Sequence, residues 1–343
     1  MTTKKWVFSY LAFVCALSAQ TEKPIKSPEQ IQQELNEAQA KFQHAKELFN
    51  PWYAGPLLTG SASMMPPGMM NIQPYIFVTD NYAVFDQERH SVDVPNLWNL
   101  NPVVIAQAGI TSWLDTVLTV QTETNWKQHH NYTNLGDTTW QLGFKVLKQG
   151  LWVPGIKFYL NETFPTGRFN HLKPKRLGVD STGAGSFVTG FSLNFAKIVF
   201  WDTLHPLSLR LSLTYGIPTT VHVRGFNTYG GGFGTRGKVR PGNSFKASLG
   251  TEWSFTQRWV IANDVVYTCA GRTTFNGDPG VTSDGLPATV GGGSNDSLSL
   301  APALEYNPNP NLGILGGVWF TVYGRNTSNF ISYIFSVTYT FGL

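Results

Sequence analysis

Nine charged residues occupy positions where a period-two pattern sends them to the same side as serine, threonine and glycine: Glu123, Lys127, Lys145, Lys157, Arg210, Lys246, Glu252, Asp264 and Glu305. On an apolar face each would be costly; on a wet face, water or an opposite charge meets them. Two kinds of chemistry follow. The nine could line a polar path, or they could pair across strands and merely fill an interior. A second set lies in the loop 221–240, where Arg224, Arg236, Lys238 and Arg240 surround Tyr229-Gly230-Gly231-Gly232-Phe233-Gly234. A basic, aromatic, glycine-rich external loop could gather anionic or aromatic solutes, or contact lipopolysaccharide phosphates, with Arg224, Tyr229, Phe233, Arg236, Lys238 and Arg240 as its binding candidates. Its glycines favour a mobile, solvated loop. His129-His130 offers two imidazoles, but adjacent positions on an extended chain point opposite ways, so they make a poor pair of ligands to one ion. No nucleophile elbow, His-Glu-x-x-His or phosphate-cradling loop occurs. The expectation is therefore no enzyme, no cofactor and no metal.

The elements that position these residues are strands. From Tyr333 onward every odd position is apolar (Tyr333, Phe335, Val337, Tyr339, Phe341), and the even ones, Ser332, Ile334, Ser336, Thr338 and Thr340, are mostly small and hydroxylated. That is the alternation of a strand with two unlike faces. Leu118, Val120, Thr122, Thr124 and Trp126 oppose Thr119, Gln121, Glu123, Asn125 and Lys127 in the same way. Leu207 to Tyr215 against Ser208, Arg210, Ser212 and Thr214 is another case. Twelve spans are expected: 71–79, 101–109, 116–127, 137–148, 151–163, 186–198, 206–216, 244–255, 258–269, 296–306, 311–323 and 329–341. Strands 101–109 and 258–269 alternate poorly.

A soluble β-sandwich and a membrane barrel share this alternation, and the rest of the chain separates them. Of the 343 residues 13% are charged, about half the roughly 25% of soluble domains. Aromatics make up 14% and mean hydropathy is −0.13. No segment past the first nineteen residues reaches the run of about 18 apolar residues that a spanning helix needs. The connections sort by parity. The expected outer ones, 80–100, 128–136, 164–185, 217–243, 270–295 and 324–328, are mostly long, whereas 110–115, 149–150, 199–205, 256–257 and 307–310 are all short. Short inner turns, longer outer loops and an even strand count describe an outer-membrane barrel. Trp152, Trp201, Trp253 and Trp259 fall at inner strand ends and Trp126 and Trp140 at outer ends, as two girdles would.

The N-terminal part reads differently. Lys4 and Lys5 precede an apolar run to Ala19, a cleavable secretory leader over 1–19. Losing it lowers the formal charge from +4 to +2, too little to imply nucleic acid, and leaves Cys269 as the lone thiol, so no intrachain disulfide. Within 20–50, Ser27-Pro28-Glu29-Gln30 reads as a capping box, and Ile31, Leu35, Ala38, Phe42, Ala45 and Phe49 form a single apolar stripe. This amphipathic helix could plug a lumen, self-associate through residues 28–49, or lie in the periplasm. A turn-rich connector, 51–70, follows with Met64, Met65, Met69 and Met70 around Pro66-Pro67-Gly68, better suited to a flexible lead-in than to copper(I).

Gly136-Asp137 with Leu142-Gly143-Phe144-Lys145, then Phe164-Pro165-Thr166-Gly167, then Gly183-Ala184-Gly185-Ser186 and the aromatic last strand resemble the outer-membrane barrel family named after the meta-pathway of phenol degradation. Trp52 to Leu58 and Asn71 to Tyr75 also resemble exported proteins of intracellular Gram-negative bacteria. The first resemblance implies uptake of small hydrophobic or aromatic compounds. Such barrels end on an aromatic residue, whereas Gly342 and Leu343 follow Phe341 here, displacing the signal read by the barrel-assembly machinery. The expectation is an all-β chain: a roughly 12-stranded antiparallel transmembrane β-barrel over 71–343 in the outer membrane, with a short N-terminal amphipathic helix. It would pass small hydrophobic or aromatic solutes. The alternative is a structural or surface-contact protein acting through external loops. Outer-membrane lipid and lipopolysaccharide are the expected surroundings, with Lys173, Lys175 and Arg176 as further cations that could meet its phosphates.

Overall fold

The computed structural model describes residues 26–49, 53–203 and 205–343; the expected leader, 1–19, lies outside them. Helix α1, Pro28–Phe49, starts as its sequence dictates. Ser27 Oγ accepts from the Gln30 backbone N–H at 3.3 Å and Gln30 Oε1 accepts from the Ser27 N–H at 3.0 Å. Sixteen strands follow: β1 (Met69–Phe85), β2 (Ser91–Gly109), β3 (Leu114–Lys127), β4 (His130–Leu135), β5 (Thr138–Leu147), β6 (Gly155–Phe164), β7 (Val188–Val199), β8 (Leu207–Pro218), β9 (Val221–Arg224), β10 (Arg236–Arg240), β11 (Ser244–Ser254), β12 (Trp259–Ala270), β13 (Thr274–Asp278), β14 (Asn295–Asn309), β15 (Leu312–Arg325) and β16 (Thr327–Gly342).

Twelve of these close a barrel in the order β2-β1-β16-β15-β14-β12-β11-β8-β7-β6-β5-β3, and β2 pairs back onto β3. All pairs are antiparallel. Closure leaves no sheet edge, so every ladder donor and acceptor is paired within the wall. The remaining strands lie at the loop end. β4 folds back on the outer half of β3, and β9, β10 and β13 form a separate three-stranded sheet. Short connections, among them 110–113, 148–154, 255–258, 310–311 and the turn that begins at 200–203, mark the other end, which also carries the start of β1 and the end of β16. In outer-membrane barrels that end faces the periplasm.

All twelve expected strands are present, including the two that alternate poorly, and the faces fall as the pattern demands. Tyr333, Phe335 and Tyr339 of β16 are half exposed around the outside, while Ser332, Ile334 and Ser336 are buried within. Exposed Ile76, Val104, Leu118, Phe191, Leu249, Ile261 and Leu304 continue the apolar belt on other strands. Trp98 and Trp126 face each other across β2 and β3 near the outer end, and Trp113, Trp152, Trp253 and Trp259 are exposed near the inner end. Trp201 departs from the girdle: its ring packs edge-on at 5.6 Å against Phe42 of α1.

Three expectations about connections are corrected. Residues 80–100 are not a loop, because β1 and β2 run on past the membrane and turn over 86–90. The hairpin buries Ala83 and Phe85 while Tyr82, Val84 and Val92 are exposed, and Asn81 Nδ2 to the Leu97 carbonyl (3.1 Å) and Asn96 Nδ2 to Asp80 (2.9 Å) brace it. Residues 128–136 are mostly the β3–β4 hairpin, and β15 meets β16 through Asn326 alone.

Leu249, at the centre of β11 between Leu211 and Val265, is half exposed on the belt. Leu249→Lys is expected to cost about 2–4 kcal/mol, as cations at the bilayer midplane do, read by urea unfolding of the protein refolded into lipid vesicles.

Candidate functional site

The inner end of the lumen is filled by the connector, residues 53–67. Pro56, Pro66 and Pro67 deny it a regular ladder, so its backbone groups turn to the wall. The Ala54 N–H donates to Glu305 Oε1 at 2.5 Å. Asp264 accepts from the Leu58 N–H at 3.1 Å and from Thr59 Oγ1 at 2.5 Å. The Met65 N–H donates to Asp115 Oδ2 at 3.1 Å. In the other direction Asn194 Nδ2 reaches the Ser61 carbonyl at 3.1 Å and Lys157 Nζ the Ser63 carbonyl at 3.2 Å. Leu57 is buried among Tyr75, Val103, Ala262, Ala301, Leu315 and Ile334 of the wall. Glycine makes the approach possible: a Cβ at Gly317 would stand 2.7 Å from Leu57 Cδ1, and one at Gly250 would stand 2.7 Å from Pro56 Cγ. The flexible lead-in expected here is corrected: the segment is pinned along its length.

Helix α1 does not share this place. Its described contacts are with inner turns: Gln39 Oε1 accepts from the Leu151 N–H at 3.2 Å, and Lys197 Nζ lies 5.1 Å from the buried Phe42 ring. Ile31 and Leu35 at its start are exposed.

Five of the nine lumen candidates gather round the connector. Lys157 pairs with Asp115 at 2.5 Å, both side chains fully buried, and lies 4.4 Å from the Tyr159 ring. Arg210 Nε meets Glu252 Oε2 at 2.8 Å, which also accepts from Ser208 Oγ at 3.0 Å. Glu305 accepts from Asn307 Nδ2 at 2.7 Å besides Ala54, and Asp264 holds Leu58 and Thr59. Glu123 and Lys246 are partly exposed and make no ion pair among the described residues. Two candidates are corrected. Lys145 is exposed at the inner rim, where it donates to the Ser112 carbonyl, and Lys127 ends β3 in the hairpin with β4. Alternation assigns a side but not a height, so charges at strand ends land on rims. Asp115, Asn194 and Asn307 escaped the sequence reading. Asp115 stands next to a turn and becomes legible only when the inward parity of β3 is carried one register back.

Around and above the connector the lumen wall has two arcs of different make-up. On β5, β6, β7 and β8 polar side chains bond from strand to strand: Gln141 to Asn161 at 2.8 Å, Asn161 to Ser192 at 2.7 Å and Ser192 to Thr214 at 2.8 Å. On β1, β2, β15 and β16 the apolar inward residues Tyr75, Phe77, Val103, Ile105 and Trp319 pack around Leu57, with Phe330 beside Trp319. Polar inward residues stand between them: Thr79 Oγ1 and Ser332 Oγ are 2.7 Å apart, and Gln73 Nε2 donates to the Tyr75 hydroxyl at 2.8 Å. Tyr75 stacks on Phe77 at 5.6 Å and Phe330 stands edge-on to Trp319 at 4.8 Å.

The outer end is roofed by ordered loops. Asp137 Oδ1 accepts from the Gly167 N–H at 2.9 Å and Oδ2 from the Ala184 N–H at 2.8 Å, and Thr166 Oγ1 donates to the Gly136 carbonyl at 2.6 Å. Pieces of the three short motifs, far apart in the chain, thus meet at one carboxylate. Asn125 Nδ2 of the inner wall donates to the carbonyls of Val179 (3.0 Å) and Ser181 (3.2 Å), drawing loop 165–187 across the mouth. The loop expected to be mobile, 221–240, supplies β9 and β10. Val221, Val223 and Val239 are buried against Phe169, Tyr229, Phe275 and Val290. Of the six external candidates, Arg224, Arg236, Lys238 and Arg240 are exposed on the opposite face and Phe233 is half exposed. Tyr229 is corrected: it packs beneath the sheet and its hydroxyl donates to the Ala184 carbonyl at 2.6 Å, with burial pushing the phenol pKa up. His129 is an exposed turn residue and His130 opens β4. Arg176 lies 4.6 Å from the Tyr132 ring, and Lys173 and Lys175 are exposed.

No family model matches the chain, and no curated protein matches it. Solved structures do. An outer membrane channel from Pseudomonas putida F1 is 12% identical over 82% of this chain and 98% of that one, with a TM-score of 0.62. The translocator domain of the autotransporter NalP from Neisseria meningitidis is 12% identical over 89% and 97%, with a TM-score of 0.43. At such identity the first shows a shared fold, and the second is too different in shape to carry an argument.

Lys157→Met leaves the Asp115 carboxylate buried and unpaired, and is expected to cost about 3–5 kcal/mol. Lys157→Met with Asp115→Leu is expected to cost less than the single change, and the cycle is read by denaturant unfolding in vesicles. Asp137→Ala releases two backbone donors at once; limited proteolysis is expected to cut within 165–187 faster than in the parent while the barrel stays folded.

Proposed function

We propose that the protein sits in the outer membrane and lets small hydrophobic or aromatic molecules pass through its lumen, with the connector 53–67 as the element that must yield. The observation that carries this reading is the aromatic and aliphatic cluster on one arc of the lumen wall, against which Leu57 of the connector packs. Tyr75, Phe77, Ile105, Trp319 and Phe330 offer an aromatic and aliphatic surface on one side, while the hydrogen-bonded amides and hydroxyls of β5 to β8 keep water on the other. An apolar solute travelling on the first side is shielded without drying the second. The apolar belt, the short turns at one end and the fold shared with a bacterial outer membrane channel support the location.

The closure is firm but not fully matched. One oxygen each of Asp115, Glu252 and Glu305 is buried without a hydrogen-bond partner among the described residues. Leaving a buried acceptor unpaired costs about 1–3 kcal/mol, so wetting these oxygens as the connector moves offsets part of the bonds it loses. A second reading has its own support: a lumen filled at one end and roofed at the other suits a barrel that only displays its external loops to a partner.

Swelling of proteoliposomes in small aromatic and aliphatic solutes distinguishes them. Removal of residues 53–67, and separately Asp264→Ala with Thr59→Ala, is expected to speed uptake, and Trp319→Ala to slow uptake of aromatic solutes more than of aliphatic ones. Rates equal to empty vesicles for every solute, including with the connector removed, would leave only the contact reading.

A further inference from the structure

The external sheet presents a cluster of cations that passage through the lumen does not use. In β9 the exposed residues are His222 and Arg224, and in β10 they are Arg236, Lys238 and Arg240. Register places Arg236 opposite Arg224 and Lys238 opposite His222. Arg236 and Arg224 are like charges directly across a strand pair, an arrangement that is destabilising. Here no ion pair within 4 Å relieves them among the described residues. The one acid in register, Asp278 opposite Arg236, spends Oδ1 on the Gly280 N–H at 2.9 Å. A groove of about 490 Å³ runs over His222, Arg224, Arg236, Lys238 and Asn276. The buried side of the sheet is locked onto Phe169 and Tyr229 of the roof, so the cations are held on a rigid grid. Rows stand about 4.8 Å apart and alternate residues about 6.8 Å apart along each strand.

Position selects the ligand. β8 ends at Pro218 and β9 begins at Val221; β10 ends at Arg240 and β11 begins at Ser244. The cations therefore climb from the barrel rim in order, Arg240 first, then Lys238 with the His222 imidazole across from it, then Arg236 with Arg224. Four residues of strand span about 13 Å. We infer that this face binds the phosphate groups of the glycolipid in the outer leaflet, anchoring the barrel to the lipid that surrounds it. Repeated anions on a membrane-held sugar chain match a cation ladder rising from the membrane plane, whereas a single free anion would engage one rung.

The test uses the full chain in detergent, with purified phosphorylated rough-type lipopolysaccharide as probe. Binding is expected to weaken as salt rises, and to fall on the order of 100-fold in the variant Arg236→Gln, Lys238→Gln, Arg240→Gln, since each cation near an anionic surface contributes roughly a factor of five. Should that variant lose the heat-modifiable mobility of a folded barrel, Lys238→Gln alone is expected to show about a five-fold loss. Unchanged binding by the folded variant, or equal binding of the glycolipid stripped of phosphate, overturns the inference. Equal affinity for inorganic pyrophosphate makes this a free-anion site, and equal affinity for phosphatidylglycerol vesicles a site for any anionic surface; either result also overturns it. Solute uptake does not enter the measurement, so the outcome is independent of transport.

Discussion

A backbone amide with no partner is costly in lipid, and that single penalty organises this molecule. It forces the wall into a closed ring, because an open sheet would leave an edge in hydrocarbon. The same demand reappears inside. Residues 53–67 cross the inner end of the lumen without a ladder of their own, so the wall must answer them group by group. It does so with carboxylates from three strands, Glu305, Asp264 and Asp115, each accepting from a connector N–H. Buried charges that would be a burden in a solid core are here the acceptors that an irregular segment requires.

The division of the lumen follows from this. Where the connector passes, charge and glycine alternate on the wall, charge to bind and glycine to admit. β5 to β8 carry amides and hydroxyls that bond to one another, whereas β1, β2, β15 and β16 carry an apolar cluster, Trp319 and Phe77 included, that packs around Leu57 of the connector. Aromatic residues on an inward face have no structural need to be exposed to water. Their concentration on one arc, with Thr79 and Ser332 hydrogen-bonded between them, gives the proposed solute path its direction.

Outside the membrane the chain is free of the lipid's demand, and it folds as soluble β-structure does. The tips of β1 and β2 run on as a hairpin that buries Ala83 and Phe85, and β9 and β10 bury valines against the roof beside Phe275 of β13. Asp137 shows how such loops are tied down. By holding Gly167 and Ala184 it joins segments that the chain separates, and Gly183 leaves room for it, since a Cβ there would stand 2.5 Å from Asp137 Oδ1. The short motifs that carried the resemblance are thus parts of one structural junction. They speak to fold, and they say little of what passes through the lumen.

Sequence alone determined the wall. Lipid and lumen differ so sharply that each membrane strand must alternate, and Leu207 to Tyr215 against Ser208 to Thr214 can be read without coordinates. The helix start was equally local, since Ser27 and Gln30 cap each other across three residues. Only the tertiary structure decided what fills the barrel. Thr59 meets Asp264 across 205 positions and Ala54 meets Glu305 across 251, and no periodicity encodes such pairs. Likewise the height of Lys145 or Lys127 on the wall, the inward turn of Tyr229 and the ordering of the glycine-rich loops depend on partners distant in the chain. Alternation is a property of neighbours; a lumen is a property of the whole ring.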